Sequence, residues 1–242
     1  MAVKDILRSG LVVSCQAWPG SPLLDAGIMA AFALSAQRAG AVGIRANSPE
    51  HVLAMKERGV TIPVIGIHKV RYEGAEVYIT PTRAEAKALA AAGADIIAIE
   101  GTHRSRPANG SLQCLVEYIH DVLNKPVMVD IATLEEGIEA ARLGADLVAT
   151  TMSGYVPYTE EARNKGPDLE LVSRLVAAVA CPVVGEGRFH TPEHVRAALA
   201  RGAYAVVVGT ALTDLEWRIR QFVPAATELG AEPPGALLCR GR

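Results

Sequence analysis

RAGAVGIRA at 38–46, AAGADIIAI at 91–99, RLGADLVAT at 142–150 and RGAYAVVVG at 201–209 are four copies of one local pattern. Each joins the end of an Ala-rich helical stretch to a short apolar run through a glycine. Gly suits the junction, because a helix often ends in a left-handed residue that only Gly adopts cheaply. The run that follows is apolar on consecutive positions, as a strand buried on both faces of a parallel sheet reads.

Extending the pattern along the chain finds eight such runs: Gly10–Gln16, Val42–Arg45, Val64–Lys69, Asp95–Glu100, Val127–Ile131, Asp146–Thr150, Val183–Glu186 and Tyr204–Gly209. Amphipathic helical stretches separate them, at Ala26–Ala39, Pro49–Arg58, Arg83–Ala92, Leu112–Leu123, Leu134–Leu143, Leu169–Val179, Pro192–Arg201 and Leu215–Leu229. Ser48, Thr133 and Thr191 stand where helix caps belong. Eight strand–helix units predict an α/β fold, a single (β/α)8 TIM barrel with parallel strands, spanning 1–242. An open doubly wound sheet is the competitor; the similarity of the units, with no second domain left over, favours the barrel. The tail at 230–242 reads as a loose end. Glu76–Thr80 reads as a short extended piece between the third strand and its helix.

Composition excludes several classes. Half of the 242 residues are apolar and 21% are charged, a globular balance. The net charge of -2 argues against a nucleic-acid partner. Cys15, Cys114, Cys181 and Cys239 form no C-x-x-C pair, so reduced cytoplasmic thiols are expected rather than zinc or disulfides. MAVKDILRSG has no apolar core of signal-peptide length, and no apolar stretch approaches the ~20 residues of a membrane span.

In a barrel of this kind the chemistry sits at the C-terminal ends of the strands. The residues there are Gln16, Arg45, Lys69, Glu100, Asp130, Thr150 with Thr151, Glu186, and Gly209 with Thr210. Singly, each reads as a solvated rim group or a structural ion pair. Together they bring an amide, an Arg, acids and a lysine to one mouth. Lys69 ends the apolar run PVIGIH, and desolvation there would lower its pKa toward that of a useful base. Glu186, in VVGEGR, is a candidate acid–base partner or the ion-pair partner of Arg188. Asp130 needs a ligand hydroxyl, Lys69 or Arg45 as a partner. Gly185, Gly187 and Gly209 fit a phosphate cradle of backbone N–H groups. The six histidines have no metal-ligand spacing, and neither a P-loop nor a nucleophile-elbow motif occurs.

SCQAWPGSPL, VGIRANSPE, PVIGIHK, VYITPT, HRSRP, VDIATLEEG, GADLVATTMSGY, VVGEGRFHTPEH and GAYAVVVGTALT occur in this order. From about Leu11 to about Val223 the chain resembles the N-acetylmannosamine-6-phosphate 2-epimerases of bacterial sialic acid catabolism. The resemblance implies a (β/α)8 barrel that acts on an amino sugar phosphate without metal or redox cofactor. It implies Lys69 and Glu186 as catalytic residues, and Gln16, Arg45, Asp130, Glu100 and Thr151 as substrate-binding residues. It also implies Gly187, Arg188, Gly209 and Thr210 as phosphate-binding residues, and a homodimer formed through the last helices. The sequence departs from the family in two places. Glu100-Gly101-Thr102 stands where Asp-Ala-Thr is usual, and Asp214 stands where an Arg is usual. An acid at 214 repels a phosphate, so either Arg188 or Arg218 compensates or the substrate differs.

Inverting C2 of a 2-acetamido sugar requires ring opening, removal of the C2 proton and its return to the opposite face. A base and an acid with tuned pKa values suit that task, with Lys69 as base and Glu186 handling the O1 proton, or the reverse. Two other readings stand: a Schiff-base lyase acting through Lys69 and a non-catalytic phosphosugar-binding barrel.

Overall fold

The four glycine junctions close in the same way in the computed structural model of the chain, which describes residues 3–163 and 165–227. Gly40, Gly93, Gly144 and Gly202 all have φ between +91° and +96°. Two residues later the backbone N–H bonds the preceding strand: Val42 to Leu11, Asp95 to Val64, Asp146 to Val127 and Tyr204 to Val183, at 2.7–2.9 Å. One local device thus starts half of the strands in register.

The strands are β1 (Gly10–Cys15), β2 (Gly43–Asn47), β3 (Val64–Ile67), β4 (Ile96–Glu100), β5 (Val127–Asp130), β6 (Leu147–Ala149), β7 (Val183–Glu186) and β8 (Ala205–Val208). They pair in parallel in sequence order, and β8 returns to β1, closing an eight-stranded barrel. The helices are α1 (Val3–Ile6), α2 (Ala26–Arg38), α3 (Pro49–Glu57), α4 (Arg83–Ala91), α5 (Leu112–Asp121), α6 (Leu134–Arg142), α7 (Leu169–Ala178), α8 (Pro192–Ala200), α9 (Thr210–Thr213) and α10 (Leu215–Thr227). Ser48, Thr133 and Thr191 cap α3, α6 and α8 as expected, and Asp25, Thr82, Ser111 and Asp168 cap α2, α4, α5 and α7. Each cap is worth about 1 kcal/mol.

Strand alternation divides the core in two. Ile96 and Ala98 face the barrel interior, packed with Met128, Leu147, Val184 and Val207. Ile97 and Ile99 face the helices, with Val129, Val148, Val206 and Leu175. α1 and Leu7 fill the N-terminal end of the interior, where the Tyr204 hydroxyl bonds the Leu7 carbonyl. Among the described residues no helix is long and apolar enough to cross a membrane.

The differences from expectation are local. β3 stops at Ile67, so Lys69 lies beyond the strand and forms an isolated antiparallel bridge with Ile79. The extended piece at 76–80 reduces to that bridge. α1, α9 and two 3₁₀ turns, at Pro107–Asn109 and Pro157–Ala162, were not foreseen; each is too short to carry a helical period. The tail at 230–242 and Cys239 lie outside the described residues, and Cys15, Cys114 and Cys181 are free thiols.

Candidate active site

The alternation that buries Ile96 and Ala98 inside the barrel also selects the polar residues that point into it. Ser14, Arg45, Asp130 and Glu186 share the interior parity of their strands, and Gln16, Lys69, Thr151 and Gly209 continue it just beyond the strand ends. A cavity of about 210 Å³ opens at this end. Its lining includes Gln16, Arg45, Lys69, Thr151 and Glu186, and, on the β7–β8 side, Gly187, Arg188, Gly209 and Thr210.

Arg45 is the hub. It is 1% exposed and meets Asp130 end-on, with Nη1 donating to Oδ1 at 2.9 Å and Nη2 to Oδ2 at 2.5 Å. Nη1 also donates to Glu186 Oε2 at 2.7 Å. Asp130, fully buried, accepts from the Thr151 hydroxyl at 2.6 Å and does not line the cavity. Burial alone would lower the Arg45 pKa, but the two carboxylates outweigh it and raise it. Glu186 thus pairs with Arg45, and Asp130 takes the Arg45 alternative among the partners considered for it.

Burial pushes the Glu186 carboxyl up to about 7, with Asp130 adding to the rise and Arg45 opposing it. Lys69 is brought down to about 8, first by desolvation among the cavity walls and then by the Arg45 cation. The residue is exposed at the mouth, and its Nζ lies 5.7 Å from the centroid of the Trp18 ring. Its backbone is fixed by the Ile79 bridge and by the Asn47 side chain, which accepts from Lys69 N at 3.0 Å. Acid and base are thus brought within reach of neutral pH from opposite sides.

Glu100 is interior by parity but is not brought to the cavity. Fully buried, it accepts from Tyr78 N at 3.1 Å, Ile79 N at 3.4 Å, the Thr102 hydroxyl at 2.6 Å and Arg104 Nε at 3.1 Å. It therefore holds the segment whose Ile79 anchors Lys69. Gln16 bonds Ser14 through Nε2 at 2.7 Å, and its buried Oε1 has no partner. A ligand N–H or hydroxyl would satisfy that orphan acceptor.

The β7–β8 side is built differently. Gly187 and Arg188 have φ of +98° and +60°, so two successive left-handed residues turn the chain out of β7. That conformation is costly for Arg and persists where surrounding contacts fix it. Arg188 Nε donates to the Gly166 carbonyl and Nη1 to the Ser153 carbonyl, and the guanidinium lies over the Tyr155 ring at 5.5 Å. Gly154 must be glycine here, since a Cβ would come 2.4 Å from Arg188 Nη1. No salt bridge joins Arg188 to a carboxylate among the described residues. It is a nearly buried cation with neutral partners.

Asp214 lines the same side, but its Oδ1 accepts from Trp217 N at 2.9 Å and caps α10. Arg218 is exposed and does not line the cavity. His190 lines the cavity and packs on Trp217 at 4.9 Å; burial, then His194 and Arg188, hold its pKa below the usual imidazole value. Sequence reading passed over Trp18, Tyr78, Tyr155 and His190. All sit on loops, where no period marks orientation; for Trp18, Tyr155 and His190 a position shortly after a strand end was the available signal, and Tyr78, well beyond β3, carried none. No group of three or more His, Cys, Asp or Glu side chains among the described residues is placed to hold a metal ion.

Comparison with known proteins agrees with this geometry. Residues 29–228 match a family described as "Putative N-acetylmannosamine-6-phosphate epimerase". A protein of Caldanaerobacter subterraneus subsp. tengcongensis bearing the corresponding 2-epimerase name is 49% identical over 224 residues, covering 92% of this chain and 93% of its own. Its counterpart in Thermosynechococcus vestitus is 45% identical over 225 residues, covering 93% and 96%. The solved structure of the N-acetylmannosamine-6-phosphate 2-epimerase from Clostridium perfringens superposes with a TM-score of 0.87 at 41% identity, over 93% of this chain and 96% of that one. The chain belongs to the N-acetylmannosamine-6-phosphate epimerase family.

Proposed function

We propose that the chain interconverts N-acetylmannosamine 6-phosphate and N-acetylglucosamine 6-phosphate by moving the C2 proton, with Lys69 and Glu186 as the catalytic pair. The observation that carries this reading is that Lys69 and Glu186 line one cavity together with Arg45. A base and an acid, both tuned toward neutrality, share it with an arginine whose own charge is held by the fully buried Asp130.

Ring opening exposes the C1 aldehyde, which acidifies the C2 hydrogen. Lys69 Nζ takes that proton. Negative charge builds on O1, where Glu186 in its protonated form donates a hydrogen bond, supported by the fixed charge of Arg45. The open-chain enolate turns in the site so that its other face meets Lys69, and Lys69 Nζ returns a proton to C2 there, leaving the amine neutral again. Gln16 contacts the substrate directly through its orphan acceptor. Arg45, Asp130 and Thr151 hold the Glu186 end, and Glu100 holds Lys69 through Ile79. Gly187, Gly209 and Thr210 face the phosphate with backbone N–H groups, and Arg188 supplies the positive charge next to it. Asp214 caps α10 through Oδ1 and keeps its charge, which the Arg188 cation on the same side offsets. Family membership leaves the lyase and the non-catalytic barrel without support.

The reading extends to the rest of the molecule: one barrel domain over 1–242, located in the cytoplasm. It forms a homodimer through α10, whose Leu215, Ile219 and Phe222 are exposed. The activity is tested by incubating the chain with N-acetylmannosamine 6-phosphate in deuterated water and following C2 by proton NMR. Epimerised product carrying deuterium at C2 is expected. Absence of both epimerisation and exchange overturns the reading.

A further inference from the structure

We propose that Trp18 is a substrate-positioning residue, whose indole face is the apolar wall on which the sugar stacks beside Lys69. This rests on the reading of the site given above. Trp18 exposes 65% of its surface although it lines the cavity. It is carried on a tight turn: Ser21 N donates to the Trp18 carbonyl at 3.0 Å, Pro19 follows it, and Gly20 has φ +89°. Pro then Gly with positive φ at the two central positions is the pattern of a type II turn. The turn therefore fixes the backbone that carries the aromatic at the mouth, and its exposed indole face is available to a ligand.

The other large cavity aromatics are engaged. Arg71 lies over Tyr78 at 4.7 Å and Arg188 over Tyr155 at 5.5 Å. Trp18 also has a cation over one face, but that cation is the Lys69 Nζ, at 5.7 Å, which sets the ring beside the C1–C2 end of a bound sugar, and at 65% Trp18 is more exposed than Tyr155 at 47%. A 2-acetamido hexose has hydroxyls on its rim and C–H bonds on its face. Packing that face on the indole takes two apolar surfaces out of water and leaves the polar rim to Gln16 and the hub.

The test uses the full chain carrying Trp217→Phe, which leaves Trp18 as its one tryptophan. Titration with N-acetylglucosamine 6-phosphate should change the Trp18 emission saturably, with a midpoint near KM. In the otherwise unaltered chain, Trp18→Ala should raise KM about tenfold with kcat within about threefold. Trp18→Phe should restore most of the loss, and neither change should alter thermal unfolding. The proposal is overturned if emission does not respond while the parent turns over, or if KM of Trp18→Ala is unchanged. A fall in kcat at constant KM also overturns it, because Trp18 would then act through Lys69. A parent without turnover instead removes the functional reading, and this proposal with it.

Discussion

The two ends of the barrel use the same residue type for opposite purposes. At the N-terminal end, Asp95 opens onto β4 and accepts from Val64 N at 2.7 Å and Lys56 Nζ at 2.6 Å. Asp146 does the same before β6, accepting from Val127 N at 2.8 Å and His120 Nε2 at 2.7 Å. Both are about a third exposed. Each ties one strand start to its neighbour and to a helix. At the C-terminal end, Asp130 and Glu186 are withdrawn from water and share a single arginine, 85 and 141 residues from it in sequence. The exposed acids stitch the barrel. The buried ones hold charge in a place where moving a proton changes the energy of everything nearby.

Substitutions at the two ends should therefore separate sharply. Among the acids of the two ends the largest effect belongs to Glu186→Gln, which should lower kcat/KM by about 10²–10⁴. The pH profile sharpens the point. Below about 7 Glu186 holds a proton, and above about 8 Lys69 has lost one. The state in which one group is protonated and the other is not peaks between those values, whichever acts as base. A bell centred there is expected for the parent, and Glu186→Gln should lose one limb. A profile flat from pH 6 to 9 would break the pairing of the two groups.

Next comes Arg45→Met, which leaves Asp130 buried without its cation and should cost about 3–5 kcal/mol of stability. Adding Asp130→Leu should recover part of it in denaturant unfolding; no recovery would mean that Arg45 acts by packing rather than charge. Arg188→Ala removes a cation on the β7–β8 side while leaving the hub intact. KM for the phosphosugar should rise about tenfold to a hundredfold, the range of a hydrogen bond to a charged group. Equal losses for the unphosphorylated sugar would show that Arg188 shapes the loop instead. The smallest effect is at the other end: Asp146→Asn should cost about 1 kcal/mol or less, as partly exposed pairs do. A turnover loss there would erase the contrast between the ends.

Much of this was legible in the sequence, and the residues that were not share a cause. The four glycine junctions, the caps at Ser48, Thr133 and Thr191, and the β7 boundaries follow from local chemistry and match the expectation. Gln16, Arg45, Lys69, Thr151, Glu186 and Gly209 fall toward one cavity because alternation is a local rule. Partnership is not local. Nothing near Glu186 distinguishes Arg188, two residues away, from Arg45; barrel closure brings Arg45 across and sends Arg188 to the carbonyls of Ser153 and Gly166. Glu100 has the right parity, yet the loop at 76–80 offers it two N–H groups and it turns there. Trp18 and Tyr155 belong to loops, whose side chains follow turn geometry rather than period.

The central claim is that Lys69 moves the C2 proton while other groups hold the sugar phosphate. Its most direct test compares C2 hydrogen exchange in deuterated water with calorimetric affinity for N-acetylglucosamine 6-phosphate, in the parent and in Lys69→Ala. The expected result is exchange lowered by at least about 10²–10⁴ with affinity changed about tenfold or less. Exchange at the parent rate would contradict the account. Loss of affinity in step with exchange would do so as well, because Lys69 would then be an anchor and Glu186 the base.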